Sequence, residues 1–482
     1  MTHKRISVHA LLAVTITLTL LATGCRKADT ESPAEQGAWA QVPDILAHIA
    51  EPNIPNRVFD ITQYGAVSDG QTDCYKAFTD AVAACEAADG GQVLVPAGTY
   101  LVKGPIHFAS NMDLHLADGA HVKFAGKFTD YLPLAMTRWQ GTRVYNYSPF
   151  IYAYRKHNIA LTGTGTLDGQ AQETWSTWTD KEADGAATAL RMNEEGNSVI
   201  DRFLGDGHFL RPSMIQFMGC DGVLVDGIKI VNSPFWCLHP VFAQRLTIRN
   251  VRFDAQNPDN DGIALDSCAY VNVHDTTFSN QGAGVTIISG LGREGRELNR
   301  PSRNIYVHDC TFNAQPAVAI TDQTAGGIYN VFVEDGQTES GTGPVLTIAD
   351  AATQDGEVVH TFQRGVSEPN AVNLPPDVYA GPDVELPAGG GTVSLTGSVS
   401  DDGRPAGKLV YEWSVLQGDA TAVKIAEATA LKTQATVSKD GIYILKLDVG
   451  DGEASGHHFT MIKAGEQPDG MEGVTKPIFP TP

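Results

Sequence analysis

Six short apolar segments recur along the middle of this chain, and their repetition restricts the fold more than any other feature of the sequence. Asn158-Ile159-Ala160-Leu161, Gly222-Val223-Leu224-Val225, Arg245-Leu246-Thr247-Ile248, Tyr270-Val271-Asn272-Val273, Asn304-Ile305-Tyr306-Val307 and Asn330-Val331-Phe332-Val333 align, and from Val223 onward the steps are 23, 25, 34 and 26 residues. Within each segment apolar residues alternate with period two, as in a strand with one buried face. A second short strand follows in several: Ile228-Lys229-Ile230, Val251-Arg252-Phe253, Thr277-Phe278 and Thr311-Phe312. A unit this short cannot bury its own apolar face, so consecutive units must stack. The pattern predicts an all-β right-handed parallel β-helix with inward-pointing Val, Ile, Leu and Phe. A propeller would need about 40 residues per blade, more than most of these steps provide. The open end of such a solenoid requires a cap, and Asp73 to Ala88 reads as a helix presenting Ala77, Phe78, Ala81, Val82 and Cys85 on one face.

The flanks have a different character. Residues 1–24 read as a targeting segment: Lys4 and Arg5 precede an apolar stretch from Ala10 to Ala22, and Thr23-Gly24-Cys25 forms a small-residue exit. Leu21-Ala22-Thr23-Gly24-Cys25 is similar to a bacterial lipobox, in which the cysteine becomes the lipidated first residue. The alternative is an uncleaved transmembrane anchor, for which the apolar run is short. Residues 25–52 then form a tether, and 53–362 carry the β-helix. A linker over 363–376 holds Pro369, Pro375 and Pro376. In residues 377–464, alternating segments such as Val393-Ser394-Leu395-Thr396, Leu409-Val410-Tyr411-Glu412-Trp413 and Gly441-Ile442-Tyr443-Ile444-Leu445 predict a small immunoglobulin-like sandwich, with 465–482 as a tail. Tyr411-Glu412-Trp413 and Asp448-Val449-Gly450-Asp451-Gly452 resemble the YxW strand and late turn of PKD-type domains.

The chain carries 34 basic and 56 acidic side chains, a net charge of −22, without a long Lys/Arg run. That balance disfavours a nucleic-acid partner, because phosphate backbones are held by clustered positive charge. Seven cysteines in 482 residues do not make a disulfide-stapled scaffold. Besides Cys25 they are Cys74, Cys85, Cys220, Cys237, Cys268 and Cys310, whose disulfide state the sequence leaves open; Cys74 and Cys85 are about 16 Å apart along a helix and are expected to pack separately. Without a CxxC or HExxH spacing, neither a metal site nor a cofactor is expected. A monomer is expected.

Ordered blocks between about residues 57 and 340 resemble the bacterial branch of glycoside hydrolase family 28, the polygalacturonases and their relatives. They include Phe59-Asp60-Ile61-Thr62-Gln63-Tyr64-Gly65-Ala66, Val95-Pro96-Ala97-Gly98-Thr99-Tyr100, Gly163-Thr164-Gly165-Thr166-Leu167-Asp168-Gly169-Gln170, Leu210-Arg211-Pro212 and Asn232-Ser233-Pro234-Phe235-Trp236-Cys237-Leu238-His239-Pro240. The resemblance implies a parallel β-helix with an open cleft that hydrolyses pectic α-glycosidic bonds with inversion, which takes one carboxylic acid and one water-activating carboxylate.

Carried over residue by residue, the resemblance is incomplete. The family's Asn-x-Asp-Gly falls on Asp259-Asn260-Asp261-Gly262, so Asp261 matches its first catalytic aspartate and Asp259 stands where it has asparagine. Its Gly-Asp-Asp falls between Phe278 and Val285, where no aspartate occurs. Its Gly-His-Gly falls near Ala314-Gln315-Pro316, and its Arg-x-Lys near Leu346-Thr347-Ile348. Two readings stay open. As an enzyme, the protein would use Asp259 and Asp261: two apart on a strand, they share a face at about 6.6 Å between Cα atoms, near an inverting separation. The bland alternative is a pair of solvated turn aspartates. As a binder, it would hold sugar through Trp236, His239, Arg211, His208, Tyr147 and Asn260 without turnover. Asp266 aligns with an acidic position the family uses near the cleft, or caps a strand end. Either reading implies a polysaccharide partner and a lipid-anchored protein of a bacterial cell envelope.

Overall fold

The computed structural model describes residues 38–314, 316–338, 345–349, 356–364, 376–381, 383–400, 409–452 and 455–465. The targeting segment with Cys25, the linker from 365 to 375 and the tail from 466 lie outside them, as does Gln315. From Val58 to Arg364 the chain winds through three parallel sheets of ten, nine and eight strands. The alignment predicted from the repeats is the register of the ten-stranded sheet. Ile159 lies opposite Val223, Val223 opposite Leu246, Leu246 opposite Val271, Val271 opposite Ile305 and Ile305 opposite Val331. These side chains form a column through the core, at most 1% exposed. A backbone detail repeats with them: Asn158, Gly222, Arg245, Tyr270, Asn304 and Asn330 all hold positive φ, between 50° and 71°. One left-handed residue per coil turns the chain into the strand, and Asn and Gly occupy four of the six because they tolerate that region best.

The second predicted strand stacks equally well. Phe253, Phe278 and Phe312 pair in register in the nine-stranded sheet, their rings near-parallel with centroids 5.1 and 4.9 Å apart. The eight-stranded sheet runs β1 (Ile106–His107), β2 (Ile151–Tyr154), β3 (Ile215–Met218), β4 (Leu238–Val241), β5 (Ile263–Asp266), β6 (Val285–Ile288), β7 (Val318–Ile320) and β8 (Leu346–Ile348). Its outward column is Gln216, His239, Ala264, Thr286, Ala319 and Thr347. In the stretch where the Arg-x-Lys was expected, Leu346 points inward and joins the core while Thr347 stands in the outward column, so neither a guanidinium nor an ammonium faces outward from β8.

Four helices accompany the described strands: α1 (Val42–Ala47), α2 (Tyr75–Ala87), α3 (Ala183–Glu194) and α4 (Gly292–Leu298). The cap is α2, and the five residues it buries are the five expected. The polar tether expected over 25–52 is corrected from residue 38 onward, because Ala38, Trp39, Val42 and Ile45 bury against Tyr306 and Phe332 on the outside of the solenoid. Trp39 lies edge-on to Phe332 at 5.3 Å and Glu51 pairs with Arg249. The composition of that stretch hid a short amphipathic α1. Cys74, Cys85, Cys220, Cys237, Cys268 and Cys310 are all buried and free.

The C-terminal sandwich packs a sheet of Val384–Leu386, Val410–Gln417, Gly441–Gly450 and Ser455–Ala464 against one of Gly391–Thr396, Val423–Ile425 and Lys432–Val437. Trp413 sits in its core, 3% exposed, with its indole N–H donating to Ala430 O at 3.1 Å. The sandwich docks on the last coil through His360 of Val358–Arg364 and His457 and His458 of Ser455–Ala464, where the His360 and His458 rings stack at 5.4 Å.

Candidate functional site

The turn Asn257-Pro258-Asp259-Asn260-Asp261-Gly262, just before β5, carries the carboxylates that the sequence singled out. Asn260 is fully buried and builds the turn: its amide donates to Ser233 O at 3.0 Å and Phe235 O at 2.7 Å, and its carbonyl accepts Asn257 N–H at 3.2 Å. Asn260 is therefore a scaffold, not a sugar contact. Asp259 holds φ of 57°, so residues 259–261 are not a strand, and the shared-face argument for the two aspartates is corrected. The two carboxylates face different partners.

Asp261 reaches toward the next coil. Its Oδ1 accepts Ala283 N–H at 2.9 Å and its Oδ2 accepts the Thr286 hydroxyl at 2.5 Å. Burial raises its carboxyl to about 6, against the lowering pull of those two bonds, and the nearby charge of Asp259 adds to the rise. An acid so placed holds its proton up to about pH 6, well above the ordinary carboxyl range. Asp259 is half exposed, and its Oδ2 accepts Arg211 Nη2 at 2.6 Å. Arg211 itself is fully buried, bound through Nε and Nη2 to both oxygens of Glu182 at 2.8 and 2.7 Å, donating to Pro258 O, and stacked 5.0 Å from the Phe235 ring. It clamps the turn to the segment preceding α3, so it is not available to grip sugar as expected.

The other proposed sugar contacts are corrected in the same way. Trp236 is 5% exposed and stacks on Phe235 at 4.8 Å, Tyr147 is 2% exposed, and His239 is fully buried. Ser213 and Gln216 approach His239 Nδ1 at 3.1 and 2.9 Å, while its Nε2 lies 3.6 Å from Asp266. Asp266 forms an ion pair with Arg138 at 3.1 Å, both side chains fully buried. These groups support a layer laid over the sheet. The hairpin of Ala135–Trp139 and Thr142–Asn146, α3 and the segment after it bring Trp139, Val144, Ala189, Leu204 and Leu210 down on Ala264 and Ile288, so apolar packing fills the centre of the outward face. Of the predicted contacts only His208 retains partial exposure.

The register also locates the stretch in which the resemblance expects two aspartates. Ile263 lies opposite Val285, which puts Ala283 one coil beyond Asp261. A Cβ on Gly282 would come 2.2 Å from Asp261 Oδ1, and one on Gly284 would come 2.6 Å from Ala317 O and the Phe312 ring. No side chain fits at 282 or 284 without backbone movement. The sequence reading missed an aromatic set on the covering segments: Phe128 and Trp178 lie 5.5 Å apart, Phe209 stands edge-on to Trp178 at 5.5 Å, and Lys181 lies 5.6 Å over Phe209. All three rings are partly exposed. Lys181 and Phe209 stand one and two residues from Glu182 and Arg211 in the chain, the pair that holds the Asp259 turn; the Trp175-Ser176-Thr177-Trp178 run was the available signal. Among the described residues no group of His, Cys, Asp and Glu is arranged to hold a metal.

Comparison with known proteins agrees with this architecture. Residues 58–199 match the family model described as rhamnogalacturonase A/epimerase, pectate lyase-like, and residues 380–462 match a PKD domain model. The crystal structure of a hyperthermoactive exopolygalacturonase from Thermotoga maritima is similar at 36% identity and TM-score 0.62, over 64% of this chain and 72% of that one. A probable polygalacturonase of Vitis vinifera is 26% identical over 75% of this chain and 68% of its own length. An exo-poly-alpha-D-galacturonosidase of Dickeya chrysanthemi is 23% identical, and the chain spans 50% of it.

Proposed function

Because the chain belongs to glycoside hydrolase family 28, the polygalacturonase family, we propose that it hydrolyses a pectic or related polysaccharide at the turn carrying Asp259 and Asp261. The observation that carries this reading is Asp261, the retained carboxyl whose burial raises it to about 6 while the Thr286 hydroxyl and Ala283 N–H orient it. In an inverting reaction Asp261 protonates the leaving oxygen, and Asp259, held by Arg211, accepts the proton of the attacking water. Phe128, Trp178 and Phe209, partly exposed on the covering segments, offer ring faces for sugar stacking. The test is release of reducing ends from a polysaccharide panel by the purified protein, repeated with Asp261→Asn and Asp259→Asn. Release that both variants abolish supports the pair; release that neither affects places the chemistry elsewhere.

A second reading, glycan binding without turnover, is favoured by the stretch from Phe278 to Val285, where the resemblance expects two aspartates and none occurs, and where Gly282 and Gly284 leave no room for a side chain. Binding by calorimetry with no release in the same panel selects it. In either case the apolar stretch from Ala10 to Ala22 followed by Thr23-Gly24-Cys25 supports the reading of a protein lipid-anchored at a bacterial cell envelope. Cys25→Ser should then move the protein from the membrane to the soluble fraction.

A further inference from the structure

A groove of about 520 Å³ lies away from the Asp259 turn, at the corner where the cap helix α2 meets the first strands of the eight-stranded sheet. One wall is the outer side of α2, with Tyr75, Thr79 and Glu86; the other is β1 and β2, with His107, Tyr152 and Tyr154, closed by Lys156. β2 stands three strands before β5, about 14 Å along the axis. The hairpin beginning at Ala135 packs its Ala135 and Met136 against Tyr152 and Met218, and so stands between the groove and the Asp259 turn. The groove is a separate concavity.

Its walls are built rather than incidental. The Tyr75 ring lies flat on the backbone at Gly104, where a Cβ would come within 2.8 Å of the ring, so a glycine is needed for this ring position. The Tyr152 hydroxyl donates to Met136 O, His107 meets the Tyr152 ring edge-on at 5.5 Å and contacts Ser148 Oγ at 3.1 Å, and Tyr154 lies beside Tyr152 with rings 14° from parallel. These interactions hold aromatic surfaces in place before any ligand arrives, so little side-chain entropy is lost on binding. The rim carries both signs: Lys156 Nζ lies 3.2 Å from Glu86 Oε1, the two charges offset each other, and both remain partly exposed as donor and acceptor.

We propose that this groove binds a neutral sugar segment of a glycan, stacking it on Tyr75 and Tyr154 and hydrogen-bonding its hydroxyls to Glu86, Lys156 and Thr79. Fixed tyrosine rings suit the apolar face of a pyranose. A paired Lys and Glu suit hydroxyl groups, which both donate and accept, and the pair offers no net charge to hold a uronate; the other charge at this wall, Arg155, lies over one face of the Tyr154 ring at 5.2 Å from its centroid and leaves the opposite face for the sugar. The site is independent of turnover at Asp261, so it would tether a polysaccharide whether or not hydrolysis occurs.

The experiment is calorimetric titration of the full-length protein with galactotetraose, xylotetraose and arabinotetraose, and with tetragalacturonate as the charged comparison. At least one neutral tetrasaccharide should bind saturably. Tyr154→Ala and Glu86→Ala should each weaken it at least tenfold, Tyr154→Phe should retain it, and Asp261→Asn should leave it unchanged, all with unaltered thermal melting. The proposal is overturned if none of the three binds at millimolar concentration, if binding survives both Tyr154→Ala and Glu86→Ala, or if it disappears in Asp261→Asn. Tighter, Tyr154-dependent binding of tetragalacturonate would also overturn the neutral class.

Discussion

Asp261 and Asp266 stand five residues apart and have opposite roles. Asp261 sits at the rim with its carboxyl raised to about 6, and a general acid must hold its proton to react. Hydrolysis should therefore fall as pH rises through about 6, and Asp261→Asn should lower it by about 10²–10⁴-fold. A wild-type rate that stays flat across that pH would remove Asp261 as the proton donor. The linked stability has the same sign: the folded value lies above the ordinary 3.8, so the protonated form favours folding, and this contribution fades as pH climbs through about 6. Asp266, fully buried against Arg138, belongs to the scaffold. Asp266→Ala leaves a buried guanidinium without that partner and should cost about 3–5 kcal/mol in urea unfolding. Asp259→Ala, which removes a half-exposed carboxylate while Glu182 still holds Arg211, should cost under about 1 kcal/mol. Similar losses at both positions would contradict the division between scaffold and rim.

At the scale of elements, the core is a set of ladders rather than isolated contacts. Phe278 lies between Phe253 and Phe312 with both rings near-parallel to its own, and it is fully buried. Phe278→Ala should cost about 3–5 kcal/mol, because the regular backbone on either side cannot collapse into the space. Equilibrium unfolding read by circular dichroism would measure this, and a loss below about 1 kcal/mol would mean the coils adjust independently. These ladders were legible in the sequence because a residue in a stacked coil faces its counterpart one repeat away. The covering hairpin and α3 were not, because their apolar residues follow no repeat and gain partners only where Trp139 and Leu210 meet Ala264 and Ile288.

For the whole molecule, the junction between solenoid and sandwich concentrates titratable groups. Burial is the first cause lowering His360, His457 and His458, the last two to about 4 and about 3. His457 contacts Glu357, near Tyr329, Lys446 and Asp448, and His458 lies near Arg303, while Asp383 accepts Met461 N–H. A depressed histidine contributes its stability above its ordinary value near 6.5 and loses it as pH falls toward about 4. Glu357 and Asp383, raised by burial, act in the opposite sense, so the slope reflects the excess of three histidines over two carboxylates. The junction should loosen as pH drops from about 6 to about 4, seen as a separate low-temperature transition in calorimetry. His458→Phe should flatten that dependence, and an unchanged slope would mean the junction does not sense protons.

By itself the sequence determined the stacked solenoid, the register of its columns, the capping helix and the sandwich around Trp413, because each rests on local periodicity or on a repeat that maps onto neighbouring coils. It also singled out Asp261 as the residue that matches the family's first catalytic aspartate in the resemblance. Only the tertiary structure decided what surrounds that carboxyl. Whether Trp236, His239, Arg211 and Tyr147 face a glycan or support the layer above them depends on the fold of residues 128–212, distant in sequence from β5. The packing of Trp139 and α3 over the sheet buries them, and Asp259 at a left-handed turn residue points to Arg211 rather than along a strand beside Asp261. Period-two patterning can assign a residue to a face, but what covers that face is set by contacts between segments far apart in the chain.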